Sequence, residues 1–542
     1  MPEQETPYER FAPDFEAFVE STIKESNTAG IAILMLHQDR TWAQGFGFAD
    51  VDKKILVTPQ TLFFAGSTTK SFTSAMAAAL VESSEHSGVD WNTPLADLIA
   101  EDFVLDQNSP EGRYATDHVT LEDALSHRTG MPRHDLIWMN GDVSDREIVR
   151  SLRHVPIARD LRAKWEYCNN MYTAVAHSIS KTLATPFKVL LKEYIFEPLG
   201  MKYTTYDLSD AQDLASKDSK IELAQGYLWD SQSKQHTLVG WEAMPAANGA
   251  GGIISNVLDY GIWLRHLLKP TNLNAALSEK AVNAMSTPRM LLEADKSMPY
   301  VGPQAYGLGL FSQVYRGREI LQHSGAIFGY MASMLIVPPT KAEVQSGNTN
   351  GGWAIVIMQN SYSLASQIIA WNLLDTLLET PGPERFDMAT VARIGQAKME
   401  EEMQPANVLQ RLFGKTDLTS DAQRVLEPQS YAGMYEHTAY HGVEVSTTPP
   451  PIAGDIGVDD ATKLYLSPSG PSMSCAFWAS LHHVSGNWWW AHRRFGRPSS
   501  WITDGALKVQ FVVNSDGLVE GMNFQAEPSM PNEELAFFKK LE

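Results

Sequence analysis

Ser67 and Lys70, in the stretch FAGSTTKSFTSAMAAAL that runs from Phe64 to Leu80, stand three residues apart. On a helix this spacing places a hydroxyl and an amine on one face. A serine beside a base is a standard acyl-transfer nucleophile. The first turn of a helix also offers unpaired N–H groups and the positive end of the dipole, both favourable to an oxygen that is becoming negative. The tetrad Ser-x-x-Lys is not selective alone, because it also occurs at Ser21/Lys24, Ser178/Lys181 and Ser231/Lys234. Ser21 and Ser178 fall within amphipathic helical patterns, and Ser231 falls in a polar, turn-like segment. Ser67 alone combines a preceding Gly, a small-residue helix after it and a strand pair before it. The run GSTTKS also approaches a phosphate-binding loop, but that motif requires Gly immediately before the Lys, where Thr69 stands.

A serine nucleophile needs a proton acceptor, a proton route to the leaving group and donors for the oxyanion. WEYCNNMYTAVAHSI supplies Tyr167 and Asn169, the only Tyr-x-Asn in the chain, just before a helical run. LQHSGAIFGYMASMLIV supplies His323, Ser324, Gly325 and Ala326 at the start of a strand-like segment.

The elements that must position these residues can be read in outline. Apolar and small residues Phe72, Ala75, Met76, Ala79 and Leu80 recur at helical spacing and predict a buried helix from Ser67 to Val81. An amphipathic helix around Phe15 to Ile23 leads into AGIAILMLHQDRTWAQGFGFAD, two strands joined by a polar turn. Helices dominate to about residue 200. Among them, VTLEDALSHRTGMP carries a capping box at Thr120/Asp123 and a stop at Gly130/Pro132. Strands return near Tyr306, and WAIVIMQN precedes a helix around Ser363 to Leu378. This order predicts an α+β fold: a mixed sheet built from both chain ends, flanked by helices and carrying a helical insertion. Composition shifts at TPGPERF. The expected units are 1–383, a helical linker over 384–426, and a β-rich domain over 427–542 with Trp488 to Trp490 in its core and interfaces.

The 542 residues carry 43 basic and 64 acidic side chains, a net charge of −21, which opposes non-specific attraction to nucleic acid or anionic membrane. No signal-like or membrane-length apolar run is visible, so a cytoplasmic protein is expected. Cys168 and Cys475 make no disulfide framework. The pairs His437/His441 and His482/His483 lack carboxylate or cysteine partners, so neither a metal nor another cofactor is expected.

Taken together, Ser67-Thr68-Thr69-Lys70, Tyr167-Cys168-Asn169 and His323-Ser324-Gly325, with LEDALSHRTGMP, NGAGGIISNVLDYGIWLRHLL and EYIFEPLGM, resemble the serine β-lactamase and penicillin-binding-protein superfamily over about residues 10 to 380. The likeness is to its class C-like esterases, D-aminopeptidases and acyltransferases. The C-terminal segment resembles the lipocalin-like domains attached to some members. The resemblance implies that Ser67 is the nucleophile, that Lys70 and Tyr167 move protons, and that Asn169 positions substrate or Lys70. It also implies that the N–H groups of Ser67 and Ala326 form the oxyanion hole. Which of Lys70 and Tyr167 takes the first proton stays open. Penicillin-hydrolysing members usually carry Lys where this chain has His323, which turns the expectation away from β-lactams and toward esters, thioesters or amides of a small, largely uncharged metabolite, with water or a second substrate as acceptor. The contrasting reading is a non-catalytic binding protein that retains the fold.

Overall fold

The computed structural model describes residues 8–139, 143–241, 248–270, 277–346, 352–414, 426–450, 464–469, 477–495, 502–530 and 534–541. Cys475 and part of the expected linker, residues 415–425, lie outside them.

A sheet of nine strands organises the N-terminal part. In chain order these are β1 (Gly30–His37), β2 (Arg40–Asp50), β3 (Ile55–Leu56), β4 (Met290–Leu291), β5 (Ala305–Tyr306), β6 (Phe311–Tyr315), β7 (Arg318–Ile327), β8 (Tyr330–Val337) and β9 (Trp353–Gln359). Their spatial order is β3-β2-β1-β9-β8-β7-β6-β5-β4. Every neighbouring pair is antiparallel, so what the sheet mixes is chain ends rather than strand directions. The described residues between 57 and 289, largely helical, are inserted between the two sets of strands.

Both faces of the centre are covered, which is why β1 reads as an unbroken apolar run. Successive side chains point to opposite faces. Ile31 and Ile33 pack with Val19 of α1 (Pro13–Glu25) and Leu374 further along the chain. Ala32, Leu34 and Leu36 face the insertion, where α2 (Thr69–Glu82), α3 (Asn169–Thr182) and α4 (Val257–Leu268) build the larger core. On the first face α5 (Ala365–Leu377) runs beside α1.

The hydroxyls of Thr68, Thr69, Ser71 and Thr73, at the start of the buried helix α2, each find a partner. Thr68 Oγ1 donates to Ala65 O at 2.9 Å and meets Tyr260 Oη at 2.8 Å. Thr69 Oγ1 accepts the Ile253 N–H at 3.1 Å, Ser71 Oγ accepts Trp263 Nε1–H at 3.2 Å, and Thr73 Oγ1 donates to Gly249 O at 2.6 Å. Buried polar groups must find partners. Here they tie α2 to the 249–263 segment, while Phe72 stacks on Trp263 at 4.4 Å. The helix begins two residues later than the periodicity suggests: Gly66–Thr68 form a 3-10 turn and the α-helix opens at Thr69. The expected capping box at Thr120/Asp123 is present in both directions.

Helices α6 (Met388–Glu402) and α7 (Pro405–Phe413) follow the sheet unit. Eight antiparallel strands then close into a barrel: β10 (Gly433–His437), β11 (His441–Ser446), β12 (Leu464–Pro468), β13 (Phe477–Ser485), β14 (Trp488–Phe495), β15 (Ile502–Val513), β16 (Val519–Phe524) and β17 (Ala536–Lys540). Trp489 fills the interior with Leu507, Val509 and Phe511, whereas Trp490 packs outside against Val408, Leu409 and Leu412 of α7. The barrel touches the insertion directly. Tyr440 Oη lies 2.5 Å from His134 Nδ1, and the His134 N–H donates to Glu527 Oε2 at 2.6 Å.

Candidate active site

Ser67 sits half-buried on the 3-10 turn, held between α2 and strand β7. Two features force that closeness. Gly66 has φ +52, a region that favours glycine, and a Cβ there would stand 2.8 Å from Ala326 N. A Cβ on Gly325 would stand 2.0 Å from Ala65 O and 3.0 Å from Ser67 N. The backbones of Ser67 and Ala326 are therefore neighbours because both crossing points are glycine. A Gly325→Ala substitution is expected to push the turn and the strand apart and lower kcat/KM by about a hundredfold, a change that steady-state kinetics beside a thermal melt would resolve. Wild-type turnover from Gly325→Ala would contradict it.

Lys70 Nζ is fully enclosed and lies 3.1 Å from Ser67 Oγ, 2.7 Å from Asn169 Oδ1 and 3.0 Å from Ala250 O. Burial, with the nearby Arg133 guanidinium, holds its amine well below the ordinary lysine range. Tyr167 Oη donates to the same Ser67 Oγ at 2.9 Å. Burial drives its phenol the other way, above its usual value. Cys168 is a buried free thiol pushed up to about 12 by desolvation, chemistry unlike that of an activated nucleophile.

Behind this group stands a set of residues that the motifs did not single out. Asn169 Nδ2 donates to Asp135 Oδ1 at 3.0 Å, and Arg133 Nε donates to Asp135 Oδ2 at 2.7 Å. The Arg133 guanidinium lies over the Tyr167 ring at 4.9 Å. His127 accepts the Cys168 N–H at 3.1 Å through Nδ1 and packs its ring 4.3 Å from that of Tyr167. Arg133 and Asp135 follow directly on the Gly130/Pro132 helix stop, where two loop charges carry no spacing that would mark them.

His323 is placed otherwise than a substrate contact. Its ring is buried, Nδ1 donates to Ser324 O at 2.6 Å, and Nε2 meets Tyr306 Oη at 3.1 Å, beneath the aromatic cluster of Tyr167 and Phe311. Ser324 points to the opposite, exposed side of the strand. Neither lines the cavity of about 490 Å³ beside Ser67, which Asn169 and Ala326 do line, together with Arg133, Asp135, Arg493 and Glu527.

Burial, reinforced by Lys70, depresses His323 from 6.5 to about 3. The unfolded chain therefore takes up a proton near pH 6.5 that the native state refuses until about pH 3. Stability contributed by neutral His323 is present above pH 6.5 and is lost between these values at about 1.4 kcal/mol per pH unit. Urea unfolding of wild type is accordingly expected to weaken more steeply with acid than that of His323→Gln; equal slopes would refute this.

Residues 15–378 match the protein-family model described as Beta-lactamase. The chain belongs to the beta-lactamase family. As a member it is a serine hydrolase. Unguisins hydrolase ungD of Aspergillus violaceofuscus is 30% identical over 97% of this beta-lactamase-family chain and 90% of its own length. Unguisins hydrolase ungD' of Aspergillus campestris is 32% identical over 80% and 77% respectively. Among solved structures, the octameric penicillin-binding protein homologue from Pyrococcus abyssi is similar in fold, with a TM-score of 0.56 at 18% identity, covering 97% of this chain and 99% of that one. That likeness extends over the barrel as well as the sheet unit. Among the described residues no cluster of His, Cys, Asp and Glu could hold a metal ion, and no helix is long and apolar enough to cross a membrane.

Proposed function

We propose that this chain cleaves an amide or ester bond of a small metabolite through an acyl-enzyme on Ser67. The observation that carries the reading is the convergence of Lys70 Nζ and Tyr167 Oη on one hydroxyl, at 3.1 and 2.9 Å. An amine whose affinity for a proton is lowered by burial gives up its charge more readily and can serve as acceptor, whereas a phenol held high keeps its own proton. Lys70 is therefore the first base. As Ser67 Oγ attacks the carbonyl carbon, its proton passes to Lys70, and the new oxyanion lies at the neighbouring Ser67 and Ala326 N–H groups. Tyr167 Oη, already bonded to Oγ, hands a proton to the departing nitrogen or oxygen and is resupplied from Lys70. Water then enters where the leaving group was and the same steps run in reverse. A bound nucleophile in place of water would give acyl transfer by the same route. Asn169 and the Arg133–Asp135 pair hold Lys70 and Tyr167 in place.

Similarity to the two Aspergillus hydrolases over most of the chain supports a secondary metabolite as substrate. The test is intact-protein mass spectrometry after exposure to a fluorophosphonate and to activated acyl esters. An adduct that maps to Ser67 is expected. A folded protein that forms none, or forms one elsewhere, would overturn the reading.

A further inference from the structure

The barrel reaches the catalytic group through one short turn, residues 133–135. His134 stands there at φ +42, a region that a residue with a side chain occupies at a cost and keeps only where its surroundings hold it. The turn delivers two charges to one place. Arg133 lies over the Tyr167 ring at 4.9 Å, and Asp135 accepts from Asn169 Nδ2 at 3.0 Å, one hydrogen bond away from Lys70 Nζ.

Both units hold this turn. Within the sheet unit, Asn170 Nδ2 donates to Arg133 O and His134 Nε2 donates to Pro156 O, each at 2.9 Å. From the barrel, Tyr440 Oη meets His134 Nδ1, and Glu527 Oε2 accepts the N–H of the buried His134 at 2.6 Å. Glu527 is itself fixed. Its Oε1 accepts the Ser529 N–H at 3.0 Å and Ser529 Oγ at 2.7 Å. Two residues earlier, Gln525 is bonded twice to Lys508 of β15, its N–H donating to Lys508 O and its Oε1 accepting the Lys508 N–H, both at 3.0 Å. Glu527 is only 6% exposed, so its loss would leave the His134 N–H buried without its acceptor, which is costly.

We infer that Glu527 is a positioning residue for the reaction at Ser67: through this carboxylate the barrel holds the His134 turn, and with it Arg133 and Asp135 behind Lys70 and Tyr167. This rests on the acyl-enzyme reading, and the experiment separates the two. Tyr167, Tyr172, Cys168, His127 and His323 also lie near Lys70, but they are bonded within the sheet unit. Position and charge therefore predict opposite signs. Arg133 lowers the Lys70 amine more than Asp135 raises it, so a turn that drifts and admits water moves Lys70 back toward the ordinary lysine range. Loss of a negative charge alone would move it further down.

Acylation by p-nitrophenyl acetate is followed in stopped flow across pH for wild type, Glu527→Ala, Glu527→Gln and Glu527→Asp, each also melted thermally. Glu527→Ala is expected to lose on the order of tenfold to a hundredfold in the saturating acylation rate, with the acid limb displaced to higher pH. Glu527→Gln, which can keep an oxygen where Oε2 stands, retains most of the rate and the wild-type limb. Glu527→Asp keeps the charge but falls short by one methylene, and follows alanine part-way. The Gln and Asp variants carry the test if the alanine protein does not fold. An acid limb in Glu527→Ala that stays in place or moves to lower pH, a faster Glu527→Asp than Glu527→Gln, or a loss confined to the half-saturating concentration, as a mere substrate contact would give, would overturn the proposal. In each of those cases a fluorophosphonate adduct on wild-type Ser67 keeps the acyl-enzyme reading standing. Its absence from folded wild type would overturn both.

Discussion

Alanine at position 67 is expected to abolish acyl-enzyme formation and to lower turnover of activated esters on the order of ten-thousandfold or more. The loss is this large because one oxygen serves both neighbours: Lys70 and Tyr167 are each bonded to it, and neither has another route to an acyl group. The fold should survive. Ser67 is half-buried on a turn, and without it Lys70 still donates to Asn169 Oδ1 and Ala250 O. A variant that melts near wild type and gains no mass from a fluorophosphonate is the expected result. A Ser67→Ala protein that still gained the acyl mass would reject Ser67 as nucleophile. A folded variant with unchanged biological activity would favour the binding-protein reading.

Replacing Lys70 by alanine should slow acylation by about a thousandfold, within the range removed with a general base. The pH dependence distinguishes a base from a structural lysine. In wild type the acylation rate should fall as pH drops through the depressed Lys70 value, because the ammonium form cannot accept the Ser67 proton. That limb should vanish in Lys70→Ala, whose residual rate rises only with hydroxide. Some stability will be lost, since Asn169 Oδ1 and Ala250 O lose a buried donor. Lys70→Met, which fills more of the space, should recover stability without recovering rate. Stopped-flow acylation across pH on both variants decides the point, and wild-type rates in a folded Lys70→Ala protein would end the assignment.

Local patterning made much of this molecule legible. The continuous apolar run of β1, the 3.6-residue periodicity of α2 and α3, the Thr120/Asp123 box and the strand-rich chain end each follow from side-chain chemistry within one element. Ser67 and Lys70 were readable for the same reason, since one turn of helix holds both. Tyr167 and Asn169 could be selected as residue types, but their approach to Ser67 across about a hundred residues is made by packing of α2 on α3.

What the sequence by itself determined was the set of chemically competent residues and the elements that carry them, because helical and strand periodicity act over a few neighbours. Only the tertiary structure decided how they are used. It turned His323 into the aromatic interior, where exclusion of water keeps the ring neutral. It put Arg133 and Asp135 behind Asn169, and it brought Arg493 from a barrel more than four hundred positions after Ser67 to the same cavity. Desolvation and long-range proximity belong to the packed state, and no spacing along the chain encodes them.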